Sequence, residues 1–123
     1  MPRPRKWRMV CCLPINDLFG PLNNNDNSSE SIVMSVDEYE VIRLMDLEGL
    51  TQNQCAQRMD VARATIQNSY KTARLKIAQA ITLGKNLKIA GGDYRLYDDR
   101  QRNMYGCHRH QRNRFKNNRN IEI

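Results

Sequence analysis

The chain has 123 residues, room for one modest core with arms, which excludes a multidomain enzyme. Lys plus Arg number 20 against 13 Asp plus Glu, a net charge of +7 that favours a polyanionic partner, nucleic acid first. With a mean hydropathy of −0.75 and no apolar run long enough for a membrane span or a signal peptide, the expected setting is cytoplasmic, with part of the chain solvated.

Residues 1 to 8 form a Pro- and Arg-rich arm, kept extended by the restricted backbone of proline. Trp7 to Leu13 is a short strand candidate ended by Pro14. A polar loop from Asn23 to Ser29 separates it from a second candidate at Ile32-Val33-Met34. Ser35 and Glu38 then make a capping box, and Val41, Leu44, Met45 and Leu47 recur near helical spacing up to Gly49, predicting a first helix over 36–48. Thr51 and Gln54 make another box, with Cys55, Ala56 and Met59 on one face of a short second helix over 52–59. Ile66, Tyr70, Ala73, Ile77 and Ala80 or Ile81 predict a third helix over 63–82, ended at Gly84. Alternating runs around Gly91-Gly92-Asp93 suggest a β-hairpin wing. From Asp98 the chain turns to Arg, Asn, Gln and His, too poor in apolar residues to order itself.

The charge is laid down in blocks. Residues 30 to 60 carry seven acids against Arg43 and Arg58, whereas residues 63 to 88 carry six positives and no acid. A polyanion-facing surface explains that segregation better than a merely solvated one.

Two capped helices joined by about three residues, the second longer and basic, suit a helix-turn-helix whose second helix enters a major groove. Ala56 stands where the helices approach closely, Asp60 at the turn position that often needs positive φ, and Val61 and Ile66 where the pair must pack. With Ile66, Tyr70, Ala73 and Ile77 turned inward, the outer face carries Arg63, Gln67, Asn68, Lys71 and Arg74. Arg63, Gln67 and Asn68 are candidates for base readout, because Arg bonds guanine and Asn or Gln bonds adenine bidentately. Thr65, Lys71 and Arg74 are candidates for phosphates, and Arg3 and Arg5 for an adjacent minor groove. The competing reading is an ordinary three-helix bundle with a wet polar face.

The stretch from Asp46 to Ala56, with Val61-Ala62-Arg63-Ala64-Thr65-Ile66 and Ala73-Arg74-Leu75-Lys76-Ile77, resembles the helix-turn-helix of sigma-factor region four. More narrowly, the segments Met1 to Arg8, Phe19-Gly20-Pro21-Leu22-Asn23, Val36-Asp37-Glu38-Tyr39-Glu40 and Gly91-Gly92-Asp93-Tyr94 resemble the domain-of-unknown-function family 134 over roughly residues 1 to 95. That resemblance implies a small prokaryotic DNA-binding protein; some members carry a Cys- and His-rich C-terminus or a fused domain like those of iron-molybdenum cofactor assembly. The chain departs from the helix-turn-helix pattern at Asp60, where Gly is usual, and at Ala62, where Ser would cap the third helix at a gain on the order of 1 kcal/mol.

Four cysteines without the spacing of a disulfide scaffold read as thiols or metal ligands. Cys107, His108 and His110, with Cys11 or Cys12, form a candidate site for zinc or another transition metal if the two ends of the chain meet; adjacent Cys11 and Cys12 would point apart in extended chain. The alternative is a Cys11 or Cys12 packed as a small hydrophobe, and Cys55 belongs to the core. No nucleophile elbow, phosphate loop or paired catalytic His occurs, so no enzyme is expected.

The sequence therefore predicts a mainly α protein: an irregular basic N-terminal region (1–34) with short strands, a three-helix helix-turn-helix domain with a hairpin wing (35–97), and a flexible basic Cys- and His-containing tail (98–123). The expected function is sequence-specific binding of double-stranded DNA in transcription regulation, with a homodimer left open. Alternatives are an interaction module docking on RNA polymerase or another partner through the acidic first helix, and a metal-responsive DNA-binding sensor.

Overall fold

The computed structural model describes residues 7–23 and 30–105. Three short strands come first: β1 (Arg8–Val10), β2 (Leu18–Phe19) and β3 (Ile32–Met34). Helix α1 (Val36–Ile42) continues into a π-helical turn (Arg43–Leu47), followed by α2 (Gln52–Met59) and α3 (Arg63–Leu83). Strands β4 (Leu87–Ile89) and β5 (Tyr94–Leu96) and helix α4 (Asp99–Tyr105) complete a mainly α architecture. No helix among the described residues is long and apolar enough to cross a membrane.

Both expected capping boxes form. The Ser35 hydroxyl accepts from the Glu38 amide while the Glu38 carboxylate accepts from the Ser35 amide, and Thr51 and Gln54 repeat the exchange at the start of α2. Each satisfies two amides at a helix start that have no partner within the helix. The first helix does not run regularly to Glu48: its last five residues widen into the π turn, where the Glu48 amide donates to the Arg43 carbonyl at 3.0 Å.

Asp60 ends α2 in the left-handed conformation, at φ 55° and ψ 50°, and the Val61 amide bonds back to the Ala56 carbonyl at 3.0 Å. Aspartate tolerates this geometry at a cost that glycine would avoid. Ala62 occupies the N-cap position of α3 in extended conformation and offers no side-chain acceptor to the first amides. Val41, Leu44, Cys55, Ala56, Met59 and Ile66 form the core beneath α1, α2 and the start of α3. Leucine-sized side chains buried there contribute about 1.5–3 kcal/mol each.

A second core joins α3 to the strands through Val10, Met34, Val36, Ala73 and Ile89. Here the strand pairing departs from expectation. β4 and β5 do not form a hairpin wing: β4 lies between β2, antiparallel, and β3, parallel, while β5 pairs in parallel with β1. The Gly91-Gly92 segment is not a hairpin turn but a crossing over the start of α1, where the Gly91 carbonyl accepts from the Val36 amide and a Cβ at Gly92 would collide with Asp37 and Ser35. The strands of residues 8–34 thus complete sheets whose other members follow α3. They also bring together three of the sequence motifs: Arg8 pairs with Asp37 at 3.5 Å, its amide bonds the Asp93 carbonyl, and Gly92 packs on Asp37.

The tail expected to be flexible from Asp98 instead begins with α4. Asp98 and Gln101 exchange side-chain bonds with each other's amides, the same capping chemistry seen twice upstream, and Tyr105 packs against Tyr97 with ring centroids 5.8 Å apart.

Candidate nucleic-acid interface

The inward stripe of α3 leaves a polar face in its first three turns. Ile66 and Ala73 are buried and Tyr70 and Ile77 half-buried, whereas Arg63, Gln67, Asn68, Lys71 and Arg74 are exposed. Thr65 is half-buried. Arg3 and Arg5, expected to add contacts from the arm, lie outside the described residues, as do Cys107, His108 and His110.

Two of the exposed candidates are already oriented. The Gln52 side-chain oxygen accepts from Arg63 Nε and from Gln67 Nε2, both at 3.1 Å. A residue on the first turn of α2 thereby fixes the directions of two side chains on the first two turns of α3. Sequence reasoning missed Gln52, since nothing local marks a glutamine whose partners lie 11 and 15 residues away. Lys71 and Asn68 are exposed on the same face.

Arg74 behaves differently. Its guanidinium lies 3.5 Å from Asp46 and 5.0 Å from the centroid of the Tyr70 ring, whose hydroxyl donates to Asp46 at 2.7 Å. That hydrogen bond, more than desolvation, holds the Tyr70 pKa above its ordinary value. Arg74, a phosphate candidate by sequence, is therefore engaged at the back edge of the face. Lys76 leaves the basic block altogether, donating to Glu38 at 2.6 Å.

The acidic segment accounts for these losses. Asp37 pairs with Arg8, Glu38 with Lys76, Asp46 with Arg74, and Glu40 and Glu48 with Arg43. Glu40 is fully buried; its two oxygens accept from Arg43 at 2.7 and 2.9 Å, and one also accepts from the Cys11 amide at 2.9 Å. Burial opposes the charge of Arg43, but the hydrogen bonds and charges of Glu40, joined by Glu48, outweigh it and raise the guanidinium pKa. Charges that the sequence placed on an acidic docking helix are thus satisfied within the chain.

Cys11 is buried with Cys12 and Tyr97, in the packing of a small hydrophobe. Cys55 is a core thiol with its pKa pushed up to about 12, first by burial and next by the nearby Glu40. Among the described residues no three metal-ligating side chains come together.

The family model described as "Protein of unknown function DUF134" matches residues 1–97. A UPF0251 protein of Desulfitobacterium hafniense strain Y51 is 51% identical over 113 residues, 91% of this chain and 90% of that protein. A UPF0251 protein of Thermoanaerobacter pseudethanolicus is 42% identical over 111 residues, covering 89% of this chain and 94% of the relative. One from Clostridium botulinum strain Loch Maree is 45% identical over 94 residues, 76% of this chain and 60% of the relative. No solved structure matches significantly.

Proposed function

The chain belongs to the DUF134 family, a prokaryotic family of unknown function, and from that premise and the geometry above we propose that it is a sequence-specific DNA-binding transcription regulator. In this reading α2, the turn at Asp60 and α3 are a helix-turn-helix, with the first three turns of α3 in a major groove and α2 across the backbone. The observation that carries it is the Gln52 clasp, which holds Arg63 and Gln67 outward on the same exposed face as Asn68 and Lys71. Arg63, Gln67 and Asn68 match the donor and acceptor patterns of guanine and adenine edges, and Lys71 supplies charge to a phosphate. The arm, with Arg3 and Arg5, adds minor-groove or backbone contacts.

This reading makes binding steeply salt-dependent. With about six phosphates neutralised, log affinity for duplex DNA falls against log salt with a slope of roughly −5. Fluorescence anisotropy on a labelled duplex across a salt series measures that slope. A flat dependence would remove the electrostatic basis of the proposal.

A further inference from the structure

The outer face of α3 changes character along its length. Gln67, Lys71, Arg74, Ala78 and Ile81 follow one another on one side of the helix at steps of three and four, polar at first and apolar at the end, with Leu75 beside Ala78. Leu75 is 57% exposed and Ile81 76%. Across from Ile81, Phe19 at the end of β2 is 49% exposed, and Leu22 shortly after it 98%. On a chain with a mean hydropathy of −0.75, apolar side chains gathered in one place mark an interaction surface.

Two hollows share the Ile77–Ile81 ridge. One, about 570 Å³, lies between that ridge and Phe19, Pro21 and Leu87; the other, about 530 Å³, lies among Leu75, Ala78 and the Asp46–Arg74 pair. The wall at Phe19 is seated on the turn that follows α3, because a Cβ at Gly20 would collide with the Asn86 side chain. An apolar ridge beside two hollows is complementary to its own copy. Turned about a two-fold axis, the ridge of each copy enters a hollow of the other, as in the ridges-into-grooves fit of packed helices, here in isologous form. Charge does not oppose the fit: Asp46 and Arg74 compensate each other, and the stem of Lys85, the remaining charged residue of the two hollows, is long enough to keep its ammonium in water.

The extent of the face also suits a second copy. At roughly 150 Å² for a large apolar side chain, the exposed parts of Phe19, Leu22, Leu75 and Ile81 present about 400 Å². The apolar share of one partner's side of a standard homodimer interface is about 500 Å². Ala78 and the half-buried Pro21, Ile77 and Leu87 add to the four. The sequence that continues from Asn23, Asn24 to Ser29, is wholly polar and offers this face no apolar side chain.

We propose that this face is the seam of a homodimer, in which two copies of the chain pack the C-terminal halves of their α3 helices, with the β2 loops alongside, about a two-fold axis. The seam rests on α3 and the β2 loop alone, so it and the DNA reading can fail independently. Where both hold, one axis relates the two recognition faces, and the bound motif is an inverted repeat.

Sedimentation equilibrium of the full chain without DNA, from low to high micromolar concentration and at moderate and high salt, tests the seam. The wild-type chain should reach a dimer and stop there, and high salt should not dissociate it. Ile81→Glu and Leu75→Glu should each weaken association about tenfold or more while keeping the helical circular dichroism, since both replace exposed side chains. Leu83→Glu, at an exposed residue on the opposite side of the helix and in neither hollow, should leave the dimer intact. A wild-type monomer at every concentration, growth beyond two copies, dissociation by salt, or a dimer indifferent to both Ile81→Glu and Leu75→Glu would overturn the proposal.

Discussion

The segment from Val36 to Glu48 and the first three turns of α3 are both densely polar, yet they use polarity in opposite ways. Each of the five acids in the first has a cationic partner within the chain, and one of the resulting pairs, Glu40 with Arg43, is almost wholly buried. On α3 the polar groups at Arg63, Gln67, Asn68 and Lys71 face outward, and the bonds that Arg63 and Gln67 donate to Gln52 orient side chains without neutralising charge. A segmental charge count therefore overstates both surfaces: the acidic helix is an internal hub, and the basic helix leaves Arg63 and Lys71 exposed while Arg74 and Lys76 pair with Asp46 and Glu38.

The largest expected effect breaks the hub. Glu40→Ala leaves the Arg43 charge buried without its bidentate partner and should cost about 3–5 kcal/mol in urea denaturation. A loss near that of an exposed pair would mean that the two side chains are solvated.

On the outward face, Arg63→Ala should relax base preference at one position by about 1–3 kcal/mol. Lys71→Ala should instead weaken all sequences alike and reduce the magnitude of the salt slope by about 1. Competition binding with matched and mutated duplexes separates the two, and identical behaviour of the variants would deny them separate roles.

The core beneath the hub adds a pH dependence. The Cys55 thiol ionises near 9.0 when unfolded and is pushed up to about 12 in the fold, so above pH 9 the unfolded state binds fewer protons. This contribution is fully present below pH 9 and is lost as pH rises towards 12, with a limiting slope of about 1.4 kcal/mol per unit. Denaturation at pH 8, 9 and 10 should show a fall that is shallower in Cys55→Ala; parallel profiles would contradict the burial argument.

The smallest effect sharpens the boundary between the regions. Asp46→Asn releases Arg74 from an exposed pair, costing about 0.2–1 kcal/mol of stability. The same change should steepen the salt slope of DNA binding by about 1, because a cation is returned to the face. An unchanged slope would place Arg74 outside the interface.

Much of the helical frame was legible because its signals are local. Ser35 with Glu38 and Thr51 with Gln54 marked two helix starts, the apolar stripe from Ile66 to Ala80 marked α3, and Asp60 fell at the residue that takes positive φ. The third capping box, Asp98 with Gln101, is equally local but went unread, because the polar composition from Asp98 onward predicts no order there; docking of Tyr105 supplies the missing burial. Strand pairing was not legible. β1 meets β5 and β2 meets β4 across most of the chain, and the alternating pattern around Gly91-Gly92 fits two strands with remote partners as well as it fits a hairpin. At the candidate interface, helical periodicity identified the exposed side chains but not what stands opposite them, which is why Gln52 was missed and Arg74 was counted as available.

The central claim is that the first three turns of α3 read base edges, and selection from a random duplex pool at moderate salt tests it most directly. The wild-type chain should enrich a defined motif, and a variant carrying Arg63→Ala, Gln67→Ala and Asn68→Ala should bind the pool in a salt-sensitive way yet enrich nothing. Enrichment of the same motif by both proteins, or of none by the wild type, would contradict it.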